Sequence, residues 1–80
     1  MRIAFFGRLA DVSGTRTLEH KTEALTGEDL RRDLAAAHPQ IADILNHGGT
    51  RLVLNDEIVG WDSPLAEDDD VAIIPVVSGG

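Results

Sequence analysis

Three histidines, three serines, an acidic run and two Gly-Gly pairs are the features of this chain whose types could do chemistry. His20, His38 and His47 fall on a strand, a helix end and a loop, without metal-ligand spacing, and read as solvated or capping residues. Ser13 and Ser63 sit in turn-like segments and read as turn formers. There is no cysteine, which removes thiol nucleophiles, disulfides, zinc ribbons and iron–sulfur clusters together. The run "EDDD" at 67–70 lacks the ligand spacing of a calcium loop and reads as a solvated turn. Gly48-Gly49 lacks the lysine and hydroxyl residue of a phosphate-binding loop. What remains is the end of the chain, "VAIIPVVSGG". It passes a proline, carries no charged side chain and finishes on Ser78, Gly79 and Gly80, a slim tip ending in a carboxylate. Glycine permits close backbone approach and φ values that other residues avoid. Pro75 stiffens the exit, and an extended run of this kind can lie along a partner's strand edge through main-chain hydrogen bonds. The tip is expected to be the working part, and the rest of the chain to present it.

The rest is small. Eighty residues make one domain near the lower limit of unaided folding, with little room for an enclosed active-site cavity. An apolar fraction of 42% fits a globular protein. No apolar run approaches the roughly 20 residues that span a bilayer. "MRIAFFGRL" is not followed by a small-residue cleavage site and reads as a strand, not a signal peptide, so a cytoplasmic location is expected. The formal charge is −7, and Lys21 is the single lysine. That balance argues against DNA, RNA and anionic membranes as partners and suits solubility or a partner with a basic docking face.

The elements that must position the tip follow from periodicity. "RIAFFGRL" reads as a strand with Ile3 and Phe5 on one face and Ala4, Phe6 and Arg8 on the other. "DVSGTR" reads as the turn of a hairpin, with Gly14 supplying its geometry, and "TRTLEHK" as the second strand with Leu18 inward. "TGEDLRRDLAAAHP" is the main helix: Thr26 caps it, Glu28 and Asp29 suit its positive end, Leu30, Leu34 and Ala37 form its apolar stripe, and Pro39 stops it. "QIADILNHGG" reads as a further short helix with Ile41, Ile44 and Leu45 inward. "RLVLN", a short strand after "ND", a loop and "VAIIPV" complete the chain. This order predicts an α+β fold of the β-grasp, ubiquitin-like type: a mixed sheet packed on one main helix. The last strand is expected at the centre, parallel to the first. Residues 1–80 are expected to form one domain with a flexible tail from about residue 75.

The stretch "LVLNDEIVGWDSPLAEDDDVAIIPVVSGG" resembles the small subunit of molybdopterin synthase. The shared features are the "LN" strand end, the "D-x-P-L" loop, an acidic turn, "V-A-I-I-P" and the terminal "S-G-G"; "FFGRLADVSGT" is similar to that family's opening hairpin. The resemblance runs the full length, with residues 22–50 matching in pattern only. Ile73 and Ile74 stand where aromatics are common, and Val76 where a second proline is often found. The thiamine-pathway sulfur carriers form a sister family with the same ending. The resemblance implies that the Gly80 carboxylate is adenylated by an ATP-dependent activating enzyme and converted by a sulfur donor to a thiocarboxylate. The sulfur would then pass to a pterin precursor inside the large synthase subunit, in a complex of two small subunits on a large-subunit dimer. It implies no cofactor on this chain, since ATP and magnesium belong to the activating enzyme. Another sulfur carrier, a ubiquitin-like modifier of lysines and a plain interaction module are the alternative readings.

A docking surface is also expected. With Phe5, Val71 and Ile73 facing the helix, Phe6, Ile58 and Ile74 face outward and, with Val76 and Val77, form a landing patch for both partners. Pro75, Val76, Val77, Ser78 and Gly79 are the expected contacts along the tail. Arg8 and Arg51 are candidate rim contacts, and Trp61 is expected to anchor the small core.

Overall fold

The computed structural model describes residues 1–46 and 49–75. Its elements are β1 (Arg2–Phe5), α1 (Arg8–Ser13), β2 (Thr17–Glu19), α2 (Gly27–Ala37), α3 (Pro39–Asn46), β3 (Thr50–Leu54), β4 (Glu57–Val59) and β5 (Val71–Pro75). The strands form one five-stranded sheet in the order β2-β1-β5-β3-β4. β1 and β5 pair in parallel, and every other neighbouring pair is antiparallel. This is the β-grasp arrangement, with the last strand central and parallel to the first.

Alternation along the strands decides which face is buried. Ile3 and Phe5 of β1, Leu52 and Leu54 of β3, and Val71 and Ile73 of β5 all point into the core. They meet Leu30 and Leu34 of α2, both fully buried. Thr26 caps α2 as predicted, its hydroxyl accepting from the Asp29 N–H at 3.2 Å. Residue 27 is a glycine for a packing reason. A Cβ there would lie 2.5 Å from Leu52 Cδ2 and 2.8 Å from the Trp61 carbonyl oxygen. The start of α2 is thus pressed onto the 60–64 loop, and the Glu28 N–H donates to the Trp61 carbonyl. Trp61 packs against the core as expected, with the Arg31 guanidinium 5.0 Å from its ring centre.

Three local expectations need correction. The opening strand ends at Phe5, and α1 occupies the place assigned to a strand end and a hairpin turn. Gly7 leaves the strand at φ 58° and ψ −133°, a region nearly closed to side-chain-bearing residues. Leu9 is then turned into the core at 0% exposure, and Gly14 ends the helix with its N–H on the Ala10 carbonyl. An inward Leu9 also fits a continued strand, since it shares the parity of Ile3 and Phe5, and six residues are too few to display a helical period. Arg8 is therefore the first residue of a helix, not a strand residue. In α2, Ala37 is exposed because the helix ends there; the next buried apolar side chain is Ile41 of α3. Pro39 does more than stop α2: it is the first residue of α3, where its missing N–H costs nothing.

The β3–β4 hairpin turns on Asn55 (φ 51°) and Asp56 (φ 69°), the left-handed pair of a two-residue hairpin loop. The Asn55 amide donates to Asp69 Oδ1 at 3.1 Å and accepts from the Asp70 N–H at 3.0 Å. The acidic run is thereby tied to the hairpin as a turn. The Ala66 N–H bond, and then the Asn55 amide, hold the Asp69 carboxyl below its ordinary range.

Candidate functional site

The last described residue, Pro75, ends the central strand of the sheet. β5 lies between β1 and β3, and its last residues register Arg51 with Ile74 and Thr50 with Pro75. Pro75 has no N–H to offer the ladder, and it is the last residue of the described strand. The turn before α1 closes on this point: a Cβ on Gly7 would stand 2.8 Å from Pro75 Cγ. On the other side, Thr50 is buried at 4% exposure, and its hydroxyl has no partner among the described residues. Gly7, Thr50 and Pro75 thus meet at the last described residue of the central strand. Sequence reasoning missed the first two; the glycine directly after the aromatic pair in "FFG" was the available signal. Val76, Val77, Ser78, Gly79 and Gly80 lie outside the described residues, so the expectations placed on them are carried forward as proposals.

The sheet face away from α2 holds the proposed patch. Phe6 is 52% exposed and Ile58 63% exposed, while Ile74 is half-buried. Phe6 lines a shallow groove with Ala4, Val53 and Ala72, whose flanks carry Arg2, Asp56 and Asp70. Ile58 registers with Val53, which registers with Ala72, which registers with Ala4, so one row of small and apolar side chains crosses four strands. Ile74 belongs to the next row, opposite Arg51. Ile58 therefore joins the surface through Val53 and Ala72, not through direct proximity to Ile74.

Charge is distributed unevenly along the strands. Arg8 and Arg51, both exposed, flank the tail exit and make no ion pair among the described residues. The acidic turn lies at the opposite end of β5, immediately before Val71. Of the histidines, His38 caps α2 and stands 6.2 Å, ring to ring, from His20. His47 lies outside the described residues. Among the described residues no group of three or more acidic or imidazole side chains could hold a metal ion, and no helix is long and apolar enough to cross a membrane.

The sequence profile of the ThiS family matches residues 3–80. The chain belongs to the ThiS family. It is 32% identical over 80 residues to the molybdopterin synthase sulfur carrier subunit of Escherichia coli, an alignment covering 100% of this chain and 99% of that one. A crystal structure of SAMP1 from Haloferax volcanii superposes with a TM-score of 0.81 at 28% identity, covering 99% of this chain and 97% of the other. A second crystal structure, of the H. volcanii small archaeal modifier protein 1, gives a TM-score of 0.78 at 25% identity, with 95% of each chain covered. The family match spans the described β5 and the tail beyond it. In this ThiS-family chain the residues of the expected tail follow the central strand of a β-grasp sheet in sequence.

Proposed function

We propose that this chain is a sulfur carrier and the small subunit of molybdopterin synthase, with its working group at the Gly80 carboxylate. The observation that carries the reading is the full-length 32% identity to a molybdopterin synthase sulfur carrier subunit. The site geometry supports it. The central strand is described to Pro75, the five residues that follow in sequence are small or apolar, and Arg8 and Arg51 stand beside the end of that strand.

The chemistry follows from the weakness of a carboxylate as an electrophile. An oxygen of the Gly80 carboxylate attacks the α-phosphate of ATP on an adenylating enzyme, pyrophosphate leaves, and an acyl adenylate forms. Sulfur from a donor adds at the acyl carbon and AMP departs, leaving a thiocarboxylate. The tail enters the large synthase subunit, where that sulfur is transferred to a pterin precursor and the carboxylate is regenerated. ATP and magnesium serve the activating enzyme. Ser78, Gly79 and Gly80 keep the tip narrow enough for a closed pocket, and Pro75, Val76 and Val77 lie along the partner's edge. Phe6, Ile58 and Ile74 provide the landing surface on the sheet. Two small subunits on a large-subunit dimer complete the assembly.

A second reading, a ubiquitin-like protein modifier, is favoured by the two Haloferax volcanii structures at 28% and 25% identity. Intact mass spectrometry after incubation with ATP, magnesium, the adenylating enzyme and a sulfur donor separates the two. A carrier gains the mass of one sulfur in place of one oxygen. A modifier gives covalent adducts on other proteins and no thiocarboxylate.

A further inference from the structure

A sheet that does not close on itself has two edges, each a row of backbone N–H and C=O groups open to another strand. Here the edges are β2 and β4, and they differ. On β2, Arg16 and His20 bond to β1: the Phe5 N–H donates to the Arg16 carbonyl and the His20 N–H to the Met1 carbonyl. Thr17 and Glu19 alternate with them, so their backbone groups point outward. The Thr15 hydroxyl takes both groups of Thr17, donating to its carbonyl at 2.7 Å and accepting from its N–H at 3.4 Å. Glu19, the other outward position, is charged and ends the strand. β2 is therefore a blunted edge.

β4 is open at its centre. The Asn55 N–H donates to the Asp70 carbonyl, so the odd positions of β3 bond towards β5 and the even ones towards β4. Leu52 and Leu54 register with Val59 and Glu57, which leaves Ile58 pointing its N–H and carbonyl away from the sheet. Neither group has a hydrogen-bond partner among the described residues. The Ile58 side chain is exposed as well, at the end of the row that runs through Val53, Ala72 and Ala4.

We propose that β4 pairs with the β4 of a second copy, antiparallel and about a two-fold axis at Ile58. Each Ile58 N–H then donates to the other's carbonyl, and the self-complementary contact closes after two chains. Charge selects both the occupant and the register. With Ile58 opposite Ile58, Glu57 stands opposite Val59 and Asp56 opposite Gly60 of the second copy. Continuing the β3–β4 register by one residue puts Arg51 beside Gly60. Asp56 thus comes within about 10 Å, two strand spacings, of the second copy's Arg51, a gap that an arginine side chain spans. Asp56 and Arg51 are both exposed, and neither makes an ion pair among the described residues. Moving the axis to Glu57 would set that carboxylate against its own copy, which like charge disfavours. Pairing at Ile58 also joins the two rows of small and apolar side chains end to end.

Two chains of formal charge −7 repel overall, so added salt tightens the pair. A contact of three strand residues a side falls well below the ~1,200 Å² of lasting interfaces, so pairing is transient and is measured at about millimolar chain. The isotope-labelled full chain is diluted stepwise at low and at high salt, with amide shifts and sedimentation equilibrium as readouts. The expected result is a two-chain mass at high concentration, with concentration-dependent shifts largest at Ile58 and its two neighbours, and both growing with salt. Ile58→Lys sets like charges face to face and should weaken pairing by about tenfold or more, even though it reduces the overall repulsion. Ile58→Pro removes the outward N–H without touching the ladder to β3 and should do the same; if proline unfolds the chain, the lysine variant carries the test. The proposal is overturned by a monomer at every concentration and salt, by shifts centred on β2 or Phe6, or by pairing that survives Ile58→Lys in a chain with the wild-type amide spectrum elsewhere.

Discussion

Single residues carry much of the logic, and their effects separate by sign. Gly27→Ala is the clearest case. Alanine ordinarily improves a helix by about 1 kcal/mol over glycine. Here the new Cβ meets Leu52 and the backbone of Trp61, which cannot rotate aside. Overpacking of this kind costs about 1–3 kcal/mol, so the variant is expected to lose stability, read as a lower urea midpoint. A raised midpoint would mean that the 60–64 loop gives way. His20 controls a pH dependence. Burial holds its pKa below the ordinary imidazole value, and the neighbouring His38 and Met1 ammonium act in the same direction against the opposing Asp33 carboxylate. Its Nε2 is buried without a partner among the described residues. The unfolded chain therefore binds the proton more readily than the folded one. The stability that His20 contributes is full above about pH 6.5 and falls as pH drops from there toward the lowered folded value. His20→Phe should flatten that part of a stability-versus-pH curve; an unchanged slope would assign the titration elsewhere.

At the scale of elements, the sequence was legible where a period had room to repeat or a cap announced itself. Thr26 with an acidic first turn located α2, and alternation assigned the inward residues of β1 and β5. Such patterns are written by burial on one face, so they survive without tertiary information. α1 was not legible, because one turn and a half shows no period and Leu9 satisfies an inward position in either reading. Ala37 failed for a related reason: helical spacing sets a residue's direction, whereas helix length decides whether core lies opposite it. The proposal for the tail was drawn from the last residues alone, and the surroundings of Pro75 were not legible. Those surroundings depend on Gly7 meeting Pro75 across sixty-eight positions of chain, a contact created only by the parallel pairing of β1 and β5. α1 therefore does more than link two strands. Leu9→Ala should cost about 2–5 kcal/mol in thermal or urea unfolding, and a loss well below that range would mean that α1 is an appendage rather than part of the core.

The whole molecule is polar along its strand direction. One pole holds the end of the described β5 with Arg8 and Arg51; the other holds the acidic turn, Lys21 and the α-amino group, which donates to the His20 carbonyl. Between them the outer sheet face offers a row of small and apolar side chains with Phe6 exposed at its edge. A carrier that visits two enzymes in turn has reason to use one such surface for both. Phe6→Asp adds charge to an already exposed position, so the fold should hold. Affinity for both the adenylating enzyme and the large synthase subunit should fall by about tenfold or more, as for an aromatic anchor in an interface. Equal binding by titration calorimetry would remove Phe6 from the docking surface. The central claim is that the Gly80 carboxylate carries sulfur, and removing Gly80 alone tests it most directly. With the adenylating enzyme, ATP, magnesium, a sulfur donor and the large subunit present, the intact chain should acquire one sulfur in place of oxygen and support sulfur transfer to the pterin precursor. The shortened chain, folded to the same urea midpoint, should do neither; transfer at the full rate by the shortened chain would contradict the account.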